Sequence, residues 1–225
     1  MDATIKQILQ QHVKLESPVI FEIGAHECED TNDFFQIFNN PIVYCFEPDP
    51  RNINTIKTKP IYGQIHLFEG AVTDCVKKAI LYQSHGKAPE REYKDDWNYS
   101  SSIKTPTGHL QMHPWCTFSP SNEISCTSID VFCDTNSVKN IDLIWCDAQG
   151  AEPDIILGAS HMLPNISLIL LEDEGVELYD GYKSIEVILS TMGNNWSIAK
   201  RFGHDCLLTN RAYCGLNKDI THDGF

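Results

Sequence analysis

Acidic side chains end two apolar stretches of the sequence, where they could accept hydrogen bonds from a ligand. The stretch FEIGAHECEDT contains Gly24, and Glu47 ends the apolar run VYCFE, 23 residues after that glycine. A carboxylate is a hydrogen-bond acceptor that suits the two donors of a ribose diol. A glycine at a strand-to-helix turn lets a ligand approach the backbone closely. The pattern favours a nucleoside-type cofactor, although two core strands of an ordinary α/β protein would look the same.

The residues after Gly24 separate two kinds of nucleoside cofactor. A dinucleotide fingerprint needs further glycines, whose backbone amides cradle a pyrophosphate. Here Gly24 is followed by AHECED, and its acidic side chains would repel phosphate groups. S-adenosylmethionine has no phosphate and carries a sulfonium and an ammonium group, so it tolerates acidic neighbours. We therefore expect S-adenosylmethionine as the cofactor and place an NAD-dependent oxidoreductase far behind.

Further acidic residues follow later apolar runs and could act on a methyl acceptor. Asp147 follows the run IDLIWC, and Glu172 ends the run ISLILLE. Methyl transfer from a sulfonium is an in-line displacement, and an alcohol must also lose its proton, so a positioned base is expected. Asp147 is the leading base candidate, and holding the ammonium group of the cofactor is its alternative role. Glu152 either takes part in catalysis or only favours a helix N-terminus by its charge.

A divalent cation such as Mg²⁺ is another way to activate a hydroxyl, and hard cations bind carboxylates. Asp147 and Glu172 are the candidate ligands. Two carboxyl groups at neighbouring strand ends are also common without a metal. We therefore do not expect a metal and keep this pair only as an alternative.

The elements that must position these residues alternate between strand and helix patterns. Such alternation indicates a mainly parallel sheet with helices on both faces. An amphipathic helix is predicted within residues 1–17, before Pro18. Strands are predicted near 18–23, 42–47, 64–68, 141–147 and 166–172, and helices near 30–38, 50–58, 128–135, 152–161 and 182–192.

The last part of the chain changes from this alternation to a hairpin pattern. WSIAKRF (196–202), the turn GHD and CLLTN (206–210) read as two antiparallel strands. Five parallel strands followed by a terminal hairpin match the Rossmann-like, seven-stranded sheet of class I methyltransferases. A plain nucleotide-binding domain has no reason to end in this way. We expect an α/β fold of the methyltransferase type.

The stretch 84–125 interrupts the alternation of strands and helices. It is polar, rich in Pro, Ser and His, and contains Trp97, Tyr99 and Trp115. A long irregular stretch in a compact domain is usually functional or disordered, and aromatic residues argue against disorder. We expect an irregular cap or substrate loop, in which the aromatic residues either stack on a sugar face or pack the cap.

Two histidines of this stretch offer another source of a base, because histidine titrates near neutral pH. His109 is kept as a catalytic candidate, and His113 as a substrate contact. A single surface histidine more often has no catalytic role, so both rank behind Asp147.

Several pieces of the chain resemble FkbM-type S-adenosylmethionine-dependent methyltransferases. They occur in family order and cover roughly residues 18–210. The most specific is the signature Asp-x-Gln/Glu-Gly-x-Glu, which begins at Asp147 and is followed by ILGA. The resembling pieces are FEIGAHECEDT, CFEPDPRN, EGAVTD, SSSI, TSIDVF, IDLIWCDAQGAEPDIILGA and LEDEGVELYDG.

The resemblance implies a set of contacts around the cofactor and the acceptor. Relatives often have glycine where this chain has Cys28, so we expect a differently angled turn there. The cofactor contacts implied are Glu22, Gly24, Ala25 and His26 for the methionine part, Asp30 and Thr31 at the first helix, Glu47 for the ribose, Asp49 for the adenosine edge, Ala71 and Val72 for the adenine, and Asp147. The substrate contacts implied or suggested nearby are Ser101, Ser102, His113 and Trp115.

Length and composition set the remaining limits. The 225 residues suffice for one full-sized domain, and we expect a single domain over 1–225. The net charge of −14 argues against nucleic acid, since phosphate binding needs concentrated Lys and Arg. No apolar run reaches the length of a membrane span. Nine cysteines without a Cys-x-x-Cys pair read as reduced thiols of an intracellular protein, and cytoplasm is the default location without a targeting signal.

These observations predict an O-methyltransferase that acts on a hydroxyl of a sugar or glycan. The sugar is implied by the resemblance, with some support from the acidic charge and the aromatic cap. One alternative is the same reaction on a natural-product or lipid hydroxyl. Another is a non-catalytic S-adenosylmethionine-binding or scaffold domain, such as one piece of a larger glycan-building polypeptide. The acceptor is expected to be a small molecule or a glycan, and no pattern indicates an oligomeric state.

Overall fold

The computed structural model describes residues 1, 3–13, 15–89 and 96–213. Some predicted features lie outside the described residues. They are positions 2 and 14 of the N-terminal helix, positions 90–95 of the cap, and positions 214–225 of the single domain, which include the ninth cysteine, Cys214.

The described residues form ten strands and seven α-helices. The strands are β1 (Val19–Ile23), β2 (Ile42–Glu47), β3 (His66–Glu69), β4 (Ala71–Val72), β5 (Lys77–Gly86), β6 (Cys116–Thr127), β7 (Ile141–Cys146), β8 (Ile166–Glu172), β9 (Trp196–Phe202) and β10 (Asp205–Asn210). The helices are α1 (Ala3–His12), α2 (Thr31–Ile37), α3 (Pro50–Thr58), α4 (His109–Met112), α5 (Ile129–Asn136), α6 (Glu152–Leu157) and α7 (Ile185–Met192), with 3₁₀ turns at Pro60–Gln64 and Leu163–Asn165.

Seven strands form the main sheet, in the order β3-β2-β1-β7-β8-β10-β9. Strands β3, β2, β1, β7 and β8 are parallel, whereas β10 runs antiparallel to both β8 and β9. All six residues of β7 are buried, as expected for a strand covered on both faces. The predicted seven-stranded, mostly parallel sheet with a terminal hairpin is therefore confirmed.

The helices begin where the sequence supplies caps and end where packing stops them. The Asp49 carboxylate accepts a hydrogen bond from the Arg51 amide at the start of α3, and Ser128 caps α5 in the same way. Helix α6 ends at Leu157, four residues before the predicted end. A side chain at the next position, Gly158, would lie 2.2 Å from the Thr73 carbonyl oxygen, so the chain is held against that backbone.

A second, three-stranded sheet was not predicted. Its order is β4-β6-β5, and β5 pairs antiparallel with β6 from Lys77–Cys126 to Gly86–Cys116. Both ends of the stretch 84–125 thus belong to strands, and the prediction that this whole stretch is irregular is wrong. The polar composition of this stretch gave no strand pattern in the sequence. Strands β5 and β6 are held by backbone pairing between segments that are far apart in the chain. We call residues 96–115, which lie between β5 and β6, the cap.

The main sheet is packed on both faces. Phe21, Phe46 and Phe132 belong to a core on one side, and Phe34 and Leu207 belong to a core on the other. Neighbouring residues of a strand point to opposite faces, so each buried strand contributes to both cores. The sheet is therefore a stiff platform for the residues at its strand ends.

The eight cysteines in the described part of the chain are free thiols, and all except Cys75 are buried. Within the same part, no helix combines the length and the apolar character that crossing a bilayer requires.

Candidate cofactor and acceptor site

A cavity of about 800 Å³ opens where the parallel strands end. The ends of β1, β2, β7 and β8 and the turns after them contribute to it, and the cap covers them. Pockets for small ligands measure about 300–1,000 Å³, and open α/β sheets bind ligands at this edge. The size and place therefore suit a nucleoside cofactor together with a small acceptor.

The turn after β1 needs a glycine. Gly24 has a φ of 83°, and a Cβ atom there would lie 1.8 Å from the Asp147 carbonyl oxygen. The amides of Gly24 and Ala25 donate to the Phe46 carbonyl oxygen at 3.0 and 3.1 Å. The turn is thus fixed between β2 and β7. Gly24 and Ala25 both line the cavity and leave the backbone open to a ligand, as expected for a cofactor turn.

Glu47 is held in place at the end of β2. It lines the cavity although only 4% of its surface is exposed. Its Oε2 accepts from the His26 amide at 2.8 Å, and its Oε1 accepts from the Asp49 amide at 2.8 Å and from Asn52 Nδ2 at 3.2 Å. Burial raises the pKa of Glu47 to about 7, against the opposite effect of these donors. A fixed carboxyl group of this kind fits the ribose hydroxyls of S-adenosylmethionine.

Glu22 and Asp30 add two more acidic groups to the cavity wall. Thr31, the first residue of α2, donates its hydroxyl to Glu22 Oε2, and Cys45 Sγ donates to the same oxygen at 3.4 Å. Burial raises the pKa of Glu22 well above its usual range. Thr31 opens α2 as expected, but it is fully buried and is not a lining residue, so it positions Glu22 and its own contact with the cofactor stays a prediction.

An apolar patch lies next to these acidic groups. Ala71 and Val72 form β4, are buried, and line the cavity together with Phe46. A flat aromatic base binds well to such a surface, so the position of Ala71 and Val72 fits the expected adenine contacts.

Asp49 occupies a different place from the expected one. It is fully buried and is not a lining residue of the cavity. Its oxygens accept from Arg51 Nη2 at 2.6 Å, from Gln83 Nε2 at 2.9 Å and from Ser101 Oγ at 2.9 Å. These donors hold the pKa of Asp49 below its usual range despite burial. Asp49 therefore ties α3 to the second sheet and the cap, and its contact with the adenosine edge stays a prediction.

The two serines predicted to contact the substrate also serve the fold. Ser102 Oγ donates to the Gln149 carbonyl oxygen at 2.7 Å and accepts from the Lys104 amide at 2.9 Å. Ser101 Oγ donates to Asp49 and accepts from the Ser84 amide at 3.1 Å. Both residues border the cavity. Each hydroxyl proton is used within the protein and anchors the cap, and contact of the two serines with a substrate stays a prediction.

His26 lines the cavity with its side chain turned toward the cap. Its Nε2 lies 3.0 Å from Asn98 Oδ1, its Nδ1 lies 3.1 Å from Glu29 Oε2, and its ring stacks on Tyr99 with centroids 4.1 Å apart. Burial lowers the pKa of His26, but the hydrogen bonds to Glu29 and Asn98 outweigh it and raise the pKa. The residue reaches Glu47 through its backbone amide and the cap through its ring.

Asp147 and Glu172 lie at the ends of the paired strands β7 and β8 and both line the cavity. The side-chain nitrogen of Gln149, Nε2, donates to Asp147 Oδ1 at 2.6 Å and to Glu172 Oε2 at 3.3 Å. Burial in the cavity wall raises both pKa values, and the neighbouring Asp147 helps to raise the pKa of Glu172 to about 10. The Asp147 side chain is open to the cavity.

Glu152 is buried in the first turn of α6, outside the lining of this cavity. Its Oε1 accepts from the Ala148 amide at 2.9 Å, and burial raises its pKa to about 7. This position does not fit the expected catalytic role. It fits the alternative, in which Glu152 stabilises the start of a helix and the turn before it.

His109 is a poor candidate for the base. Only 4% of it is exposed, and burial together with the neighbouring His113 lowers its pKa to about 4. Its Nδ1 has no hydrogen-bond partner among the described residues. An imidazole with so low a pKa is a weak proton acceptor at neutral pH. The His109 ring forms part of the cavity wall beside Tyr179, and its catalytic role stays a prediction that ranks behind Asp147.

Aromatic side chains of the cap form another part of the wall. The rings of Trp97 and Trp115 meet edge to face with centroids 5.0 Å apart, and the ring of His113 lies 5.8 Å from that of Trp115. All three residues line the cavity, as the sequence predicted for His113 and Trp115. Flat apolar faces of this kind can pack against a sugar ring.

Among the lining residues that sequence reasoning missed are Asn52, Asn98 and Trp145. Asn52 follows Glu47 by five residues in the first turn of α3, so its spacing could have predicted the contact. Asn98 carries no local signal, because its partners Asn52 and His26 are 46 and 72 residues away.

No cluster of three or more His, Cys, Asp or Glu side chains that could hold a metal ion occurs in the described ranges. Asp147 and Glu172 supply two carboxyl groups, and the prediction about a metal remains to be tested with a chelator.

The sheet order, the glycine turn and the buried carboxylate after β2 together define a class I S-adenosylmethionine-dependent methyltransferase. The model of the Methyltransferase FkbM domain matches residues 22–204. The chain belongs to the FkbM methyltransferase family, as its sequence motifs predicted.

Individual relatives agree with this assignment. The 2-O-methyltransferase NoeI of Sinorhizobium fredii (strain NBRC 101917 / NGR234) is 32% identical over 177 residues, which are 78% of this chain and 71% of NoeI. The METTL16 methyltransferase domain has a TM-score of 0.52 at 11% identity, over 93% of this chain and 66% of that one. A putative rRNA methylase from Clostridium thermocellum has a TM-score of 0.50 at 9% identity, over 91% of each chain. The two solved structures support the fold alone.

Proposed function

We propose that this methyltransferase transfers the methyl group of S-adenosylmethionine to a hydroxyl of a sugar or glycan. The main support is the Asp147 carboxylate, which is open to a cavity that Trp97 and Trp115 also line. A carboxylate there can accept the proton of a hydroxyl, and the indole rings can pack on a sugar face. The similarity to a relative named 2-O-methyltransferase supports oxygen as the methyl acceptor.

When bound, S-adenosylmethionine supplies an electrophilic methyl group. Glu47 would accept hydrogen bonds from the ribose hydroxyls, and Ala71 and Val72 would pack against the adenine. The Gln149 side-chain amide orients Asp147 through the 2.6 Å hydrogen bond from Nε2 to Oδ1. Asp147 would take the proton of the acceptor hydroxyl, whose oxygen would receive the methyl group while the thioether product leaves.

The charge of the cavity favours an acceptor without phosphate groups. Two like unit charges about 8 Å apart repel by about 2 kcal/mol at an effective dielectric constant of about 20. Arg51 and Lys104, which are close by, are paired with Asp49 and Asp154 at 2.6 and 2.7 Å. Among the lining residues that the structure describes there is no Lys or Arg, but there are seven acidic side chains: Glu22, Glu29, Asp30, Glu47, Asp147, Glu172 and Glu174. Burial raises the pKa values of four of them, Glu22, Glu47, Asp147 and Glu172, so they are not all charged at once, but those that ionise repel a phosphate group. We therefore propose a neutral or amine-bearing sugar as the acceptor.

Labelled methyl transfer to matched acceptors tests both proposals. Each sugar is offered as an aryl glycoside and as a nucleotide sugar, in which it is linked to a nucleoside diphosphate. We expect methylation of the glycoside. Asp147→Asn should lower turnover by about 100- to 10,000-fold, because the general base is lost. Its affinity for S-adenosylhomocysteine, measured by calorimetry, should stay within about threefold. Asp134→Asn removes a charge from the exposed face of α5 and serves as the matched control.

Other outcomes of this assay would change the proposal in defined ways. Methylation of the nucleotide sugar would overturn the charge argument. Turnover only on phenols or lipid alcohols would replace the sugar by a natural-product or lipid acceptor. Equal turnover of wild type and Asp147→Asn would show that Asp147 is not the general base. Activity that EDTA abolishes and Mg²⁺ restores would assign Asp147 and Glu172 to a cation instead.

A further inference from the structure

Four residues around the cofactor carboxylate form a closed ring of hydrogen bonds. Glu47 accepts from the His26 amide at 2.8 Å and from Asn52 Nδ2 at 3.2 Å. Asn98 Nδ2 donates to Asn52 Oδ1 at 2.6 Å, and Asn98 Oδ1 lies 3.0 Å from His26 Nε2. Glu47 ends β2, and His26 and Asn52 follow β1 and β2, whereas Asn98 belongs to the cap. The ring therefore joins the cofactor half of the cavity to its cover.

The direction of each hydrogen bond in the ring follows from Glu47. An ionised carboxylate only accepts, so the Asn52 amide nitrogen must face Glu47 and its oxygen must face Asn98. Asn98 then donates through its nitrogen and accepts through its oxygen from His26 Nε2. Each donor of the ring faces an acceptor. The hydrogen bonds of the ring can therefore strengthen together when Glu47 is ionised.

A second set of contacts on the same side supports this connection. The Tyr99 ring stacks on the His26 ring, and the Tyr99 hydroxyl donates to Glu29 Oε1 at 3.5 Å. The base of the cap is attached elsewhere, through Ser101 to Asp49 and through Ser102 to the Gln149 carbonyl oxygen. Asn98 and Tyr99 are thus contacts of the cap with the cofactor side, separate from its anchor.

We propose that Asn98 is a positioning residue that couples cofactor binding to the docking of the cap. This inference depends on the proposed role of Glu47 in holding the ribose. Ribose hydroxyls that donate to Glu47 favour its ionised form, and hydrogen bonds to a charged acceptor are roughly twice as strong as neutral ones. The bound cofactor thereby tightens His26 and Asn52 against Glu47, and both present fixed partners to Asn98. The acceptor half of the cavity, which the cap lines, is completed after the cofactor has bound.

The affinity for S-adenosylhomocysteine tests this coupling without any methyl acceptor. Calorimetry compares wild type, Asn98→Ala, Glu47→Gln and the double variant. We expect Asn98→Ala to weaken binding by about 3- to 10-fold, the effect of losing one or two hydrogen bonds. The loss in the double variant should be smaller than the product of the single losses, because both substitutions break the same ring. Asn136→Ala, which removes a hydrogen bond to the Phe132 carbonyl on α5, is the matched control.

Hydrogen exchange separates coupling from a merely structural role. In the wild type, S-adenosylhomocysteine should slow exchange of the cap amides as well as those of the turn at Gly24. In Asn98→Ala the turn should still be protected on binding, while the cap gains no protection. Asn98→Asp keeps an oxygen for His26 but loses the donor to Asn52, so it gives an intermediate effect if Asn98→Ala folds poorly.

The possible results are distinguishable. If the affinity lost in the double variant equals the product of the two single-variant losses within a factor of about two, the coupling is absent. If Glu47→Gln binds S-adenosylhomocysteine as well as wild type does, the role of Glu47 is wrong. Neither result depends on the sugar, so the proposed acceptor would be unaffected.

Discussion

The cofactor side and the cap side of the cavity are built from different kinds of contact. On the cofactor side, parallel strands set the positions: Ile23 pairs with Phe46 and with Cys146, so the residues after them meet at one edge. On the cap side, described residues 96–115 contain one short helix and no strand. Isolated backbone hydrogen bonds, such as the pair between Ser102 and Tyr82, and side-chain hydrogen bonds such as Ser102 to Gln149 hold them. One half is fixed by continuous strand pairing, and the other by scattered backbone and side-chain contacts.

This difference suggests a division of labour. S-adenosylmethionine is the same molecule for the whole family, and a stiff strand edge suits an unchanging ligand. The cap can change its side chains without disturbing the sheet, which suits a part that selects the acceptor. Substitutions on the cofactor side should therefore affect cofactor binding first, and substitutions in the cap should affect the acceptor first.

The largest effect is expected for Gly24→Ala on the cofactor side. Its φ of 83° is unfavourable for alanine, and the added Cβ would lie 1.8 Å from the Asp147 carbonyl oxygen. We expect a loss of about 2–5 kcal/mol in the free energy of unfolding, measured by urea denaturation, and no detectable binding of S-adenosylhomocysteine. Gly63→Ala is the control, since no atom lies within 4 Å of its added Cβ. A stable Gly24→Ala protein that binds normally would show that the turn is not tight.

A smaller effect is expected for pH through Glu47. Its pKa is about 7 in the protein, and ribose hydroxyls bind best to the ionised form, which predominates above that pH. The affinity for S-adenosylhomocysteine should be about tenfold lower at pH 6 than at pH 8. Glu47→Gln should bind more weakly than wild type at pH 8 and should lose most of this pH dependence. An equal pH dependence in the variant would assign the titration to another group.

The smallest effect on cofactor binding is expected for the cap. Trp115→Ala should leave the affinity for S-adenosylhomocysteine within about twofold and raise the KM of the sugar acceptor by about tenfold, because a stacking surface is lost. Steady-state kinetics and calorimetry check the two parts. Tyr62→Ala, an aromatic residue with 43% exposure outside the cavity, is the control. A parallel loss of cofactor affinity would mean that the two halves are not separable at this position.

Much of the cofactor side could be predicted from the sequence because its signals are local. An apolar run, a glycine and a following helix lie within 14 residues around Gly24, and Glu47 ends the next such run. The surroundings of Asp49 were predicted less well. Glu47, two residues earlier, faces the cavity, whereas Asp49 accepts hydrogen bonds from Gln83 and Ser101. Which of two nearby carboxylates faces the ligand depends on distant partners that the local pattern does not contain.

The sequence by itself determined the order of the five parallel strands, the terminal hairpin and the glycine turn, because hydrophobic periodicity and turn chemistry act over a few residues. The match of this pattern to class I methyltransferases supplied the seven-stranded sheet. Only the tertiary structure decided the second sheet, the anchoring roles of Ser101, Ser102 and Glu152, and the low pKa of His109. Each of these depends on burial or on a partner outside the local pattern, such as Gln149 for Ser102 or the loss of solvent around His109. Local sequence sets where the chain turns, whereas packing sets which polar atoms remain open to a ligand.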